Sequence, residues 1–180
     1  MKSGVFATME LDPPARDQVL AVQRWADPRM AGESPPHVTM VGSSGAGPMP
    51  PGIPAERIRE LIEPITASTA PVVVQLERPH RFMQTDIVVL PISPHGALRT
   101  LHERIRTCGL PFEQPRFPFS PHVTLSFYPT LTPEMERKLM QVRVDDPVRL
   151  ESIKFWLTIE PQAPRLLLEL TLDGRLRTAN

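Results

Sequence analysis

Two short stretches decide the reading of this chain: Pro36-His37-Val38-Thr39-Met40 and Pro121-His122-Val123-Thr124-Leu125. In an extended strand, side chains alternate between the two faces. Each copy therefore sends a His and a Thr to one face, roughly 7 Å apart along the strand, and apolar residues to the other. The apolar pair anchors the strand in a core, and the imidazole and hydroxyl are left facing something polar. Two such strands side by side gather two imidazoles and two hydroxyls around one small anion. That arrangement suits phosphate-ester chemistry without a metal.

Working outward from the two motifs, the same order of elements precedes and follows each. Val5–Leu11 reads as a strand, and Asp12 with Pro13 caps and opens a helix to about Trp25. Val19, Leu20, Val22 and Trp25 mark the inner face of that helix. The first His/Thr strand, His37–Val41, comes next, then a Gly-, Pro- and Ser-rich loop over Gly42–Gly52. A helix over Pro54–Ile65 and a strand over Pro71–Leu76 complete the first half. The second half repeats the pattern. Asp86–Ile92 is a strand, and Ser93-Pro94 opens a helix closed by Gly109. His122–Phe127 is the second His/Thr strand, and Thr132-Pro133 opens a helix to about Val142. Pro147–Leu157 is read as one strand and Leu166–Leu172 as its hairpin partner. Both halves thus read β-α-β-α-β, with a His/Thr pair on the third element each time.

The fold expected is α+β and bilobal: two pseudo-twofold-related β-α-β-α-β lobes with mainly antiparallel sheets forming a central cleft. One domain spans residues 1–180, with lobe one at about 1–78, lobe two at about 86–172, and room for strand exchange between them. His37 and Thr39 would line one wall of the cleft, His122 and Thr124 the other.

Composition narrows the partners. At 180 residues and 41% hydrophobic, the chain is long enough to bury a substantial core. Proline is in excess at 23 residues and reads as punctuation between many short elements. Lys+Arg and Asp+Glu balance at 20 each, so no overall basic field exists to hold a long duplex by counterion release. The single Cys108 excludes an internal disulfide and favours a reducing compartment. Met1–Leu11 lacks the apolar core of a signal peptide, and no run approaches a membrane span. A cytoplasmic monomer acting on a nucleotide or RNA end is expected, with no membrane partner and no cofactor.

The paired His-x-Thr-apolar strands, their 85-residue separation (His37 to His122) and the bilobal order resemble the two-histidine (2H) phosphoesterase superfamily. Its members include 2′–5′ RNA ligase-like (LigT-like) proteins and cyclic nucleotide phosphodiesterases. His37–Met40 and His122–Leu125 match its two tetrapeptides completely, and the resemblance covers essentially the whole chain. It implies metal-independent hydrolysis of 2′,3′-cyclic phosphate ends to 2′-phosphates by His/His acid–base catalysis, with 2′–5′ ligation as the reverse reaction. An imidazole with an ordinary pKa near 6.5 serves as either acid or base near neutrality. Thr39 and Thr124 would hold the non-bridging oxygens. His37 is taken as the acid and His122 as the base, although the near-symmetry of the motifs leaves the reverse assignment open. A nucleotide-binding sensor that keeps the pocket without efficient turnover is the alternative, and a purely structural role comes third.

Base recognition usually needs an aromatic face and an arginine. Phe119, Phe127 and Tyr128 flank the second motif, and Arg81 and Arg116 lie in the approaching loops. Trp25 and Trp156 read as core, His95 and His102 as solvent-facing, and Cys108 as inert. His80 is placed outside the cleft. Gly42–Gly52 either borders the cleft as a flexible lid or is a plain connector. A metal site is a poor reading, because neither motif supplies a close second ligand.

Overall fold

The computed structural model describes residues 3–175. Its strands form one antiparallel sheet whose centre is the pair of His/Thr strands. These are β2 (His37–Val41) and β6 (His122–Ser126). On one side of β2 follow β1 (Gly4–Glu10), β8 (Ser152–Thr158) and β9 (Arg165–Thr171). On the other side of β6 follow β5 (Val88–Ser93), β3 (Val72–Leu76) and β7 (Val148–Leu150). The two halves are mirror-ordered about the β2–β6 junction, as a pseudo-twofold requires. A two-residue strand, β4 (His80–Arg81), also pairs with β5.

Pro147–Leu157 is not one strand. It divides at Glu151 into β7, which pairs with β3, and β8, which pairs with β1. A single residue cannot span more than about 3.6 Å. β7, at one end of the pairing order, and β8, next to the other end, are therefore neighbours at Glu151, and the sheet curls into a half-barrel. β3, from the first half of the chain, lies among second-half strands, while β8 pairs with β1 and carries β9 on its outer side.

The alternation of side chains separates the two faces cleanly. On β1, Val5, Ala7 and Met9 are buried, while Phe6, Thr8 and Glu10 are only half-buried. On β2 and β6 the buried positions are Val38 and Met40, and Val123 and Leu125. Helices cover the apolar face. In α1 (Ala15–Ala26) the buried residues are Ala15, Val19, Gln23 and Ala26. Trp25, expected in the core, is 46% exposed because the buried stripe runs from Val19 through Gln23 to Ala26 instead. Asp12 does not cap this helix by its side chain and accepts from the Arg149 N–H (2.9 Å). The short helix α2 (Pro28–Glu33), unforeseen in the sequence, is capped by Asp27.

Helix α3 (Ala55–Ala67) buries Ile58, Ile62 and Ile65 and continues past Pro64. In α4 (Gly96–Arg106), Leu98, Leu101, His102 and Ile105 face inward. His102, expected in solvent, is fully buried, and His95 is half-buried at the N-cap of α4. Gly109 follows α4 at φ 93°, a left-handed conformation that glycine adopts without penalty. Thr132 caps α5 (Pro133–Met140) through its hydroxyl, as its sequence position implies. Among the described residues no helix is long and apolar enough to cross a membrane.

Candidate active site

The two His/Thr strands meet at one rung, Val38 opposite Val123, running antiparallel. Stepping one residue each way from that rung sets His37 across from Thr124 and Thr39 across from His122. The two imidazoles are then diagonal neighbours, a relation that spans about 7–8 Å in a regular ladder. The two threonines occupy the other diagonal. All four side chains are half-buried on the face the helices leave open, while their apolar neighbours are buried behind them.

Each imidazole is held in the same way. His37 Nδ1 lies 2.8 Å from the Pro35 carbonyl, and His122 Nδ1 lies 2.7 Å from the Ser120 carbonyl. A carbonyl only accepts, so each Nδ1 carries a proton and each Nε2 is the working nitrogen. Burial lowers the pKa of both rings from the ordinary value. Their electrostatic surroundings then differ. For His37 the Pro35 carbonyl and the Glu10 carboxylate oppose the shift. For His122 the Ser120 carbonyl opposes it, and the charge of His37 adds to it. The two rings therefore sense one another, and only His37 has a carboxylate, Glu10, that favours its charged form.

The strands outside the central pair complete the walls. Glu10 pairs with His37, and Thr8 with Thr39. Next to them on β8, Lys154 reaches Glu10 (2.8 Å), and the Trp156 indole N–H donates to the Thr8 hydroxyl (3.1 Å). Trp156, expected in the core, is thus half-buried on the cleft wall. On the opposite side Pro91 pairs with His122 and Val89 with Thr124, and the Phe82 ring meets His122 edge-on at 5.1 Å. His80 pairs with Val89 and lies 6.3 Å from Phe82, so it shares this wall instead of lying outside the cleft. Behind the motif, the buried Gln23 amide donates to the Thr124 carbonyl (2.8 Å) and ties β6 to α1.

Sequence reasoning missed Thr8, Glu10, Lys154 and Phe82. The first two were legible: Phe6, Thr8 and Glu10 alternate with buried Val5, Ala7 and Met9 along β1. Phe82 comes to His122 through β4, a pairing too short to leave a periodic signal.

Of the flanking candidates, none joins the four central residues. Phe119 is buried and stacks on His102, ring centres 3.8 Å apart. Arg81 points away from the cleft into ion pairs with Asp86 and Glu136, both at 3.0 Å. Tyr128 donates its hydroxyl to Glu33 (2.6 Å) beneath the Arg29 guanidinium. Its pKa is pushed up to about 12, first by burial and then by that carboxylate. Phe127, half exposed, stands beside it at the exit of β6. Arg116 lies beyond the start of β6, on the rim of a separate cavity.

Gly42–Gly52 is a connector. Gly45 and Gly47 donate to the carbonyls of Phe117 and Glu113, and Met49 exchanges two backbone bonds with Val5. Burial raises the pKa of the Cys108 thiol, in keeping with an inert role. Among the described residues, no three His, Cys, Asp or Glu side chains cluster as a metal site would need.

The sequence profile of the 2′-5′ RNA ligase superfamily matches residues 11–160. The chain belongs to that superfamily. None of the curated proteins matches it significantly in sequence. Solved structures resemble it along nearly their whole length. Escherichia coli LigT, crystallised with phosphate, is 14% identical over 94% of this chain and 96% of its own, with a TM-score of 0.55. A structure described as a phosphoesterase is 15% identical, covering 95% and 99%, with a TM-score of 0.58. TT0787 of Thermus thermophilus is 16% identical, covering 94% and 98%, at 0.57. At such identities the likeness establishes a LigT-like fold. Membership places the chain in a superfamily of phosphoesterases and ligases.

Proposed function

We propose that the protein is a phosphodiesterase that opens 2′,3′-cyclic phosphates at RNA or nucleotide ends to 2′-phosphates. The observation that carries the reading is the square of His37, Thr39, His122 and Thr124, alternating imidazole and hydroxyl around one small space. The phosphoryl group sits at its centre. Thr39 and Thr124 donate to the non-bridging oxygens and stabilise charge as it builds there. His122 Nε2 takes a proton from water, whose oxygen attacks phosphorus. The P–O3′ bond breaks, and His37 Nε2 gives its proton to the departing ribose oxygen. The different neighbours of the two rings support this assignment. Glu10 favours protonated His37, and His37 disfavours protonated His122. With a 5′-hydroxyl in place of water as the nucleophile, the same steps break the P–O3′ bond and form a 2′–5′ phosphodiester.

That Escherichia coli LigT has been crystallised with phosphate and with 3′-AMP agrees with a site of this size and charge. The test is turnover of the four nucleoside 2′,3′-cyclic monophosphates and of a short RNA ending in a cyclic phosphate, with and without chelator. Turnover that survives chelation and is lost in His37→Ala and His122→Ala is expected. Tight binding without turnover would instead assign a nucleotide sensor.

A further inference from the structure

Where β6 begins, the rim of the cleft leads into a second concavity. Pro91, which pairs with His122, and Ser120, whose carbonyl holds the His122 ring, line a shallow groove with Arg99 and Phe119. Those last two residues also line the next cavity, about 490 Å³, so the two depressions adjoin. Arg99 and Arg106 reach that cavity from α4, and Arg116 from the facing loop. Among the described residues lining it, Glu103 alone is acidic, and it is already paired with Arg106 at 2.8 Å. Arg116 makes no ion pair among the described residues. In a chain whose charges cancel overall, three guanidinium groups against one carboxylate form a local anion-attracting field.

One further feature points to a ligand. Phe117, also lining the cavity, is 62% exposed, an unusual position for a phenyl ring with no partner to cover it. His102 is fully buried in the cavity wall, yet neither ring nitrogen has a hydrogen-bond partner. The Glu103 carboxylate stands 3.8 Å from Nδ1, too far for a hydrogen bond. Phe119 stacks on one face of the ring and Gly45 covers Nε2, so His102 braces the wall from within. The wall is closely fitted. A Cβ on Gly45 would come within 2.4 Å of His102 Nε2, so only glycine closes over the ring.

Arginine matches phosphate with a planar fork of donors, and an exposed aromatic ring stacks on any base. We propose that this cavity is an upstream subsite for single-stranded RNA. It would take a backbone phosphate on Arg99, Arg106 and Arg116 and the attached base on Phe117, while the cyclic end lies between the histidines. The inference rests on the phosphodiesterase reading for the reacting end. It adds that the preferred substrate is an oligonucleotide and that a mononucleotide leaves half the binding surface empty.

The test compares kcat/KM for a nucleoside 2′,3′-cyclic monophosphate and a 5′-phosphorylated trinucleotide ending in the same cyclic phosphate. The wild-type protein should favour the trinucleotide by tenfold or more, mainly through KM. Arg116→Ala, Arg106→Gln and Phe117→Ala should each pull that ratio toward one. Fluorescence anisotropy with a labelled trinucleotide ending in a 2′-phosphate gives a readout independent of turnover. Its affinity should fall with salt, and losing one phosphate contact should reduce the log–log slope by about 0.7. A wild-type ratio near one, or variants that lower both substrates equally, would overturn the subsite. If neither substrate is turned over, the hydrolase reading fails. The subsite then stands or falls on whether the arginine variants weaken trinucleotide binding.

Discussion

His37 and His122 occupy equivalent strand positions, each with Nδ1 on a backbone carbonyl, yet they are electrostatically unequal. Glu10 opposes the burial shift at His37 alone, and the charge of His37 adds to it at His122. Removing either imidazole should lower kcat/KM by about 10²–10⁴-fold, the usual contribution of a general acid or base. Thr39→Val and Thr124→Val keep the shape of the strands and should cost less, since one hydroxyl donor is lost and the second remains. Burial depresses both imidazole pKa values, so the bell-shaped profile of kcat/KM should centre below the ordinary histidine value of about 6.5. The alkaline limb reports the acid, His37. Glu10→Gln should move that limb to lower pH and leave the acid limb, set by His122, closer to its place. A pH–rate series on the two proteins checks this directly.

Much of this scale was legible in the sequence, because a strand's two-residue period states which side chains share a face. His37 with Thr39 and His122 with Thr124 followed from that period alone. What the period cannot state is which strand lies next door. Phe82 reaches His122 through the two-residue β4, and Lys154 reaches Glu10 across a pairing of residues far apart in the chain. His102 misled for a related reason. Polar neighbours suggested a solvent face, but its spacing from Leu98, Leu101 and Ile105 is that of the buried stripe.

At the scale of elements, the feature that holds β6 in place is Asp27. Its carboxylate accepts from the N–H groups of Phe127 (2.7 Å) and Tyr128 (2.9 Å) at the exit of β6, and from Met30 (3.1 Å) at the start of α2. Asp27 is buried, so Asp27→Ala would leave three backbone donors without a partner. Each such loss costs on the order of 1–3 kcal/mol, partly recovered by water. A destabilisation of about 2–4 kcal/mol in denaturant unfolding is expected, among the larger effects of a single substitution. Asp27→Asn, which keeps one oxygen, should cost less. A change below about 0.5 kcal/mol for Asp27→Ala would mean that this clamp contributes little.

Sequence punctuation located most elements within a few residues, since proline, glycine and capping residues act locally. Thr132-Pro133 at the start of α5 and Gly109 beyond α4 are examples. The break at Glu151 was invisible for the opposite reason. Val148–Leu150 and Ser152–Thr158 are both strand-forming, and only their separate partners, β3 and β1, divide them. α2 was missed because its six residues are too few to show a helical period and none is buried.

For the molecule as a whole, the mirror order of strands about the β2–β6 rung makes the cleft a consequence of the fold. Two similar halves meet at their His/Thr strands, and the exchange of β3 against β8 and β9 interlocks them. Unfolding should therefore be a single cooperative transition, with the halves losing structure together. The buried imidazoles also set its pH dependence. His37, His102 and His122 all have folded pKa values lowered by burial, so in the range where these three titrate the unfolded chain binds more protons. Stability then rises with pH in that range. It is fully present above the unfolded value of about 6.5 and is lost as pH falls toward the folded values. Thermal unfolding at about pH 7.5 and about pH 5.5, on either side of that value, should show the lower midpoint at the acidic pH. His102→Gln should flatten part of that difference.

The most direct measurement follows the two imidazoles while a single anion is added. NMR signals of His37 and His122, assigned by the His→Ala variants, are titrated with a nucleoside 2′-phosphate, the product of the proposed reaction. If one phosphoryl group sits between the rings, both should shift along the same 1:1 binding curve, and both pKa values should rise on the bound anion. Rings that respond with different affinities, or only one ring responding, would contradict the shared site.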